Sequence, residues 1–259
     1  MENGEKNKWN GRDGGYVFIS HSHKDIAEVR KLRNRLEENG FEPLCFYLKC
    51  LTDKDEVDGL IKREIDAREW FVYVDSPNAR DSEWVRKERE YINQIGTKKV
   101  LTFSLDESNS IEAQADRIMK SMRVFLSYSH RDAELAGRIR DELLRRDLQV
   151  FWDQELRMGD FVQQLTEQLR EAAENGCLVF LVTENTMRSE WALRELEKFY
   201  QLSGGRNVVP VIVGDVDFSD SVLPFYLNGF RHIRISAEPE EEELRKVAEL
   251  VEQVLVGRF

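Results

Sequence analysis

The chain has 259 residues, 41% hydrophobic and 34% charged, enough for two modest cores in a globular and very soluble protein. A formal net charge of −11 with no basic run repels phosphate backbones, so nucleic acid is not an expected partner. No stretch approaches the roughly 18–20 apolar residues of a membrane helix, and the polar first 14 residues lack the apolar core of a signal peptide, so the expectation is no membrane partner and a cytoplasmic location.

After that polar tail, Tyr16–Ser20 is a short β-rich run suited to a buried strand. Ile26, Val29, Leu32 and Leu36 follow at helical spacing, and Gly40 stands where a left-handed C′ residue ends a helix. A second strand is expected over 42–48, then a polar loop and a helix with Val57, Leu60, Ile61 and Ile65 on one face. Trp70–Val74 reads as a third strand, Ser82–Ile95 as a third helix and Lys99–Leu105 as a fourth strand. The segment Ser110–Met122 bears an apolar stripe of Ile111, Ala115, Ile118 and Met122, which leaves no room for a fifth strand before Arg123.

The pattern then begins again. Val17-Phe18-Ile19-Ser20-His21-Ser22-His23-Lys24-Asp25 reappears as Val124-Phe125-Leu126-Ser127-Tyr128-Ser129-His130-Arg131-Asp132, an offset of 107 residues. Ser82-Glu83-Trp84 and Glu88 reappear as Ser189-Glu190-Trp191 and Glu195 with the same offset. Two motifs sharing one offset indicate a duplicated domain. In the second copy the expected strands are 124–127, 148–152, 177–182 and 208–213, with helices to Arg146, over 160–174 and over 190–202. This copy continues into a fifth strand at 230–235 and a final helix over 240–256. Helices alternating with strands imply parallel sheets covered on both faces. The expected architecture is therefore α/β: two flavodoxin-like, doubly wound parallel-sheet domains in tandem, over 15–121 and 122–259, the first shortened at its C-terminal end.

Three cysteines, Cys45, Cys50 and Cys177, are odd in number and lack metal-ligand spacing, which fits buried thiols in a reducing compartment and predicts no metal site. Open parallel sheets bind ligands at the carboxyl ends of their strands. The Ser-His-Ser-His and Ser-Tyr-Ser-His runs fall there, before a helix N-terminus, where free N–H groups favour phosphate. The plainer alternative is that Ser22 and Ser129 are N-caps, with Asp25 and Asp132 supporting the first turn. In the Trp84/Glu88 and Trp191/Glu195 pairs, a spacing of four places both side chains on one helical face. Glu83 and Glu190 already occupy the first turn, so the second-turn glutamates have little to gain from the helix dipole. Asp75, closing the third strand, invites a phosphoacceptor reading, but Val182 is its counterpart and no acidic pair follows either first strand.

These motifs resemble the TIR (Toll/interleukin-1 receptor) domain family in its bacterial form. Phe18-Ile19-Ser20-His21-Ser22 and Phe125-Leu126-Ser127-Tyr128-Ser129 resemble its first-strand motif. Trp152-Asp153 through Leu156-Arg157-Met158-Gly159-Asp160 resembles its BB loop, and Ser-x-Trp-x-x-x-Glu the helix with the catalytic glutamate of NAD⁺-cleaving members. The first copy departs from the pattern: residues 48–58 lack the Gly-Asp element of that loop. The resemblance implies an NAD⁺ glycohydrolase, with or without cyclisation, in bacterial immune defence or signalling. It implies Glu88 or Glu195 as the catalytic carboxylate, with Trp84, Trp191, Ser20, His21, Ser127 and Tyr128 lining the substrate. Arg157 and Lys49 would reach phosphate from the loops. NAD⁺ enters as substrate and no cofactor is implied. Self-association through TIR domains, or pairing with other TIR proteins, would use Leu156, Arg157, Met158, Gly159 and Asp160. The alternatives are a non-enzymatic TIR–TIR adaptor, which has no need of the glutamates, and a nucleoside deoxyribosyltransferase, which also uses a lone glutamate.

Overall fold

Val17, Phe18 and Ile19 are fully buried in a first strand, β1 (Tyr16–Ser20), because helices cover both faces of a parallel sheet. This computed structural model describes residues 14–45, 54–106, 110–152, 170, 173, 176–188, 190–204, 206–218 and 229–257, with backbone alone for 54–58 and 190–192. The described residues fall into two units that divide between Ile118 and Met119.

In the first unit a short 3-10 turn (His23–Asp25) leads into α1 (Ile26–Glu38), which buries Val29, Leu32 and Leu36 at the expected helical spacing. Gly40, at φ 76°, then takes the left-handed conformation that lets Phe41 N–H reach back to the Leu36 carbonyl. The remaining elements are β2 (Glu42–Cys45), α2 (Lys54–Asp66), β3 (Trp70–Asp75), α3 (Pro77–Arg80), α4 (Glu83–Ile95), β4 (Lys99–Ser104) and α5 (Ile111–Lys120). The strands are all parallel in the order β2-β1-β3-β4. Residues 46–48 of the expected second strand lie outside the described residues. The four-residue α3 is an addition to the sequence reading, started by Pro77 and by Ser76, whose hydroxyl accepts the Ala79 N–H at 2.9 Å. Phe18, Ile61, Ile65, Phe71 and Ile92 form one core cluster, with the Phe18 and Phe71 rings 5.6 Å apart.

The second unit repeats the plan with β5 (Arg123–Ser127), α6 (Ala133–Arg145), β6 (Gln149–Trp152), β7 (Cys177–Val182), α7 (Glu184–Met187), α8 (Glu190–Ser203), β8 (Val208–Val213), β9 (Ile233–Ile235) and α9 (Glu241–Val256). Its parallel sheet runs β6-β5-β7-β8-β9. The fifth strand exists as expected but is shorter, beginning at Ile233 rather than Phe230. The helix expected over 160–174 falls almost wholly outside the described residues. Glu240 and Glu243 form a capping box at the start of α9, satisfying N–H groups the helix cannot pair itself.

The extra segment of the second unit changes what lies beneath it. Phe180, Val182 and Leu196 are buried in a core cluster against which Met187, Val216, Phe218 and Phe230 pack. Among the described residues the first unit shows no counterpart of that cover, and the positions matching Phe180, Val182, Leu196 and Met187 are Tyr73, Asp75, Arg89 and Arg80. There the Arg89 guanidinium stacks 4.2 Å from the Tyr73 ring centre, and Arg80 makes two 2.9 Å bonds to Asp75 and a 3.0 Å bond to Asp106. Apolar side chains at these places would face water in the first unit, so polar ones with buried stems replace them.

Candidate functional site

Ser82 caps α4 by accepting the Val85 N–H at 3.4 Å, which sets the phase of the helix. With that phase Trp84 and Glu88, four residues apart, both turn towards α2 and the end of β1. Glu88 is 8% exposed, and its Oε2 accepts a short hydrogen bond from the Ser20 hydroxyl. Burial pushes the Glu88 carboxyl up to about 7 from 4.5, while the bond from Ser20 acts in the opposite direction. Beside it lies a cavity of about 260 Å³ lined by Ile61, Lys62, Trp84, Lys87 and Tyr91 as well as Glu88. Lys87 Nζ sits 5.1 Å from the Trp84 ring centre and Lys62 Nζ 5.3 Å from that of Tyr91. The cavity thus combines aromatic faces, a cationic rim and one buried carboxyl.

The second unit repeats the central contact. The Ser127 hydroxyl donates to Glu195 Oε2, and Glu195 is 3% exposed. Tyr128 is buried, its ring 5.8 Å from Trp152 and 6.2 Å from His130. His21, its counterpart, lies with Nδ1 3.0 Å from the Ile19 carbonyl, and burial lowers its pKa and favours the neutral ring.

Of the residues singled out from sequence, Ser20, Trp84 and Glu88 come together, as do Ser127 and Glu195. The side chain of Trp191 lies outside the described residues, as do Lys49, Leu156, Arg157, Met158, Gly159 and Asp160. Cys45 is pushed up to about 12 by burial and Cys177 is raised as well, so neither thiol is poised as a nucleophile. No group of three or more His, Cys, Asp or Glu suited to a metal occurs among the described residues.

Sequence reasoning missed a second duplicated cluster. Asp25 accepts hydrogen bonds from the Ser76 hydroxyl at 2.5 Å and the Asn78 amide at 2.6 Å. Asp132 accepts from Thr183 and Asn185, both at 2.6 Å. These aspartates clamp the turn after the first strand to the short helix after the third, rather than capping α1 or α6 by a side-chain bond. Ser22 caps its turn through Lys24 N–H at 3.4 Å, whereas Ser129 makes no such bond. The missed signal was available: Asp, Ser/Thr and Asn all recur at the repeat offset of 107 residues.

Comparison with known proteins bears on the family of both halves. The family model described as "TIR domain" matches residues 17–122 and again 124–251. Over 106 residues the chain is 27% identical to a protein of Cytobacillus dafuensis named "Putative cyclic ADP-D-ribose synthase TIR2". That match covers 39% of this chain and 27% of the relative, so the chain spans about a quarter of the relative's length. Among solved structures, the TIR domains of the activated Roq1 resistosome directly recognizing the pathogen effector XopQ are similar at 20% identity and a TM-score of 0.34, covering 53% of this chain and 99% of that one.

Proposed function

This chain belongs to the TIR domain family, once in each half, and we propose that it cleaves the nicotinamide–ribose bond of NAD⁺, with Glu88 or Glu195 facing the reacting sugar. One observation made twice supports this reading most: a second-turn glutamate is buried at the carboxyl end of the first strand, held there by a serine. The name of the Cytobacillus relative points to the same bond.

The chemistry needs little from the protein beyond a well-placed negative charge. As the C1′–N bond breaks, its electron pair passes to the pyridinium nitrogen and nicotinamide leaves as a neutral base, so no proton donor is required. Positive charge develops on the ribose ring, and a carboxylate already in place stabilises it without solvent reorganisation. This differs from the paired carboxyls of glycosidases, where one must protonate the leaving oxygen. Water adding to C1′ and losing a proton gives ADP-ribose; a ring nitrogen of the adenine adding instead gives a cyclic isomer. The substrate's own pyridinium charge favours the ionised glutamate, offsetting the burial that raises its pKa in the free protein.

In this reading the aromatic and cationic lining of the first-unit cavity suits a planar base and a phosphate. Assembly of TIR domains through residues 156–160, a cytoplasmic setting and a role in bacterial defence complete the proposal. No helix of the described residues is long and apolar enough to cross a membrane. The test is nicotinamide release from NAD⁺ by the concentrated full chain, compared with Glu88→Gln, Glu195→Gln and the double variant. Loss in one single variant identifies the working unit. Undiminished release by the double variant would overturn the assignment of both glutamates, and an inert wild type would favour a scaffold role.

A further inference from the structure

We propose that Ser20, and by the same geometry Ser127, is a positioning residue: its hydroxyl holds the facing glutamate in one orientation and favours its ionised form against an apolar surround. The consequence for turnover rests on the glutamates being catalytic; the positioning itself does not.

The geometry follows from two periods meeting. Along β1 every second side chain faces the same way, so Ser20 follows Phe18 on the face covered by α2 and α4. Along α4 every fourth residue does so, and Glu88 precedes Ile92. Phe18 and Ile92 share one core cluster, and one step towards the carboxyl end of the strand Ser20 meets Glu88. The second unit reproduces the construction: Phe125 and Phe199 share a cluster, and Ser127 meets Glu195.

Among the described residues, the Ser20 hydroxyl is the one hydrogen-bond donor to the Glu88 carboxyl. The other charged or titratable side chains on the adjoining cavity are Lys62 from α2 and Lys87, Glu90 and Tyr91 from α4. His21 follows Ser20 but turns its ring nitrogen to the Ile19 carbonyl. A donor aimed at a carboxylate stabilises the charged form, and among the described residues no other group beside Glu88 does so by direct contact. Serine suits the place because it adds that donor with the least volume at the end of a close-packed strand.

The test is a carbon-13 titration of the Glu88 carboxyl in the full chain, with the resonance assigned by its loss in Glu88→Gln. The wild-type midpoint is expected well above the usual carboxylate range, at about 7, because Glu88 is buried. Ser20→Ala is expected to move the midpoint up by about one to two pH units, since a charge-assisted bond of ordinary strength is lost. Ser20→Thr, which keeps the hydroxyl, restores it. Should Ser20→Ala not fold, Ser20→Cys supplies a weaker donor of similar size and a smaller upward shift. An unmoved midpoint in the folded alanine variant, or in the cysteine variant in its place, overturns the proposal. A shifted midpoint in a protein that releases no nicotinamide leaves the positioning role standing and sinks the catalytic reading. Nicotinamide release with an unmoved midpoint does the reverse.

Discussion

Replacing Glu88 by glutamine should make the first unit more stable above neutral pH. Burial raises the Glu88 carboxyl in the folded protein from 4.5 to about 7. For an acid shifted upward, folding favours the protonated form, so no stability is lost below the unfolded value and the loss is complete above the folded one. At about 1.4 kcal/mol per pH unit, the folded state loses roughly 3 kcal/mol as pH rises from about 4.5 to 7. Glutamine resembles the protonated carboxyl in size and polarity and does not titrate. Its amide adds an N–H group that costs about 1–2 kcal/mol if it finds no acceptor. The net gain at pH 8 is therefore about 1–3 kcal/mol, vanishing below pH 4.5. Urea titrations of the full chain at several pH values, followed at the amide resonances of Trp70–Asp75, would measure it for the first unit alone. Parallel stability–pH curves for wild type and Glu88→Gln would refute the reasoning. A stabilised protein that has lost its proposed activity is the expected signature of a charge kept for function at the expense of the fold.

Asp25→Ala leaves the Ser76 hydroxyl and Asn78 amide without their shared acceptor; a loss of about 2–4 kcal/mol is expected in the same urea titration, and less than about 1 kcal/mol would show the clamp to be dispensable. Phe180→Ala empties the centre of the second core and should cost about 3–5 kcal/mol, read at the amides of β7. Arg80→Ala removes exposed ion pairs to Asp75 and Asp106 and should leave the urea midpoint of the first unit nearly unchanged, because solvent screens such pairs; a clear drop would mean the polar network replaces the apolar cover energetically as well as spatially.

Much of the architecture was legible in the one-dimensional pattern because the forces behind it are local. Short apolar runs such as Val17–Ile19 and Cys177–Val182 tell of strands buried on both faces. Val29, Leu32 and Leu36 mark the inner face of a helix, and the repeated Ser-x-Trp-x-x-x-Glu spacing marked the glutamates worth attention. The offset of 107 residues revealed the duplication, and the short stretch between Lys99 and Arg123 anticipated the four strands that the first sheet has among the described residues. The partner of each serine was not legible. Ser20 and Glu88 lie 68 residues apart, and they meet only because β1 lies next to β3 and α4 packs across that face at one phase. The aspartate clamps span 51 and 53 residues and read locally as helix-start signals until the turn and α3 are seen side by side. The exchange of Phe180, Val182 and Leu196 for Tyr73, Asp75 and Arg89 has no local signal in the sequence; it accompanies the covering segment described over the second unit's core. Periodicity depends on neighbours along the chain and is written in the sequence, whereas desolvation and pairing depend on neighbours in space, which the packed sheets and helices alone decide.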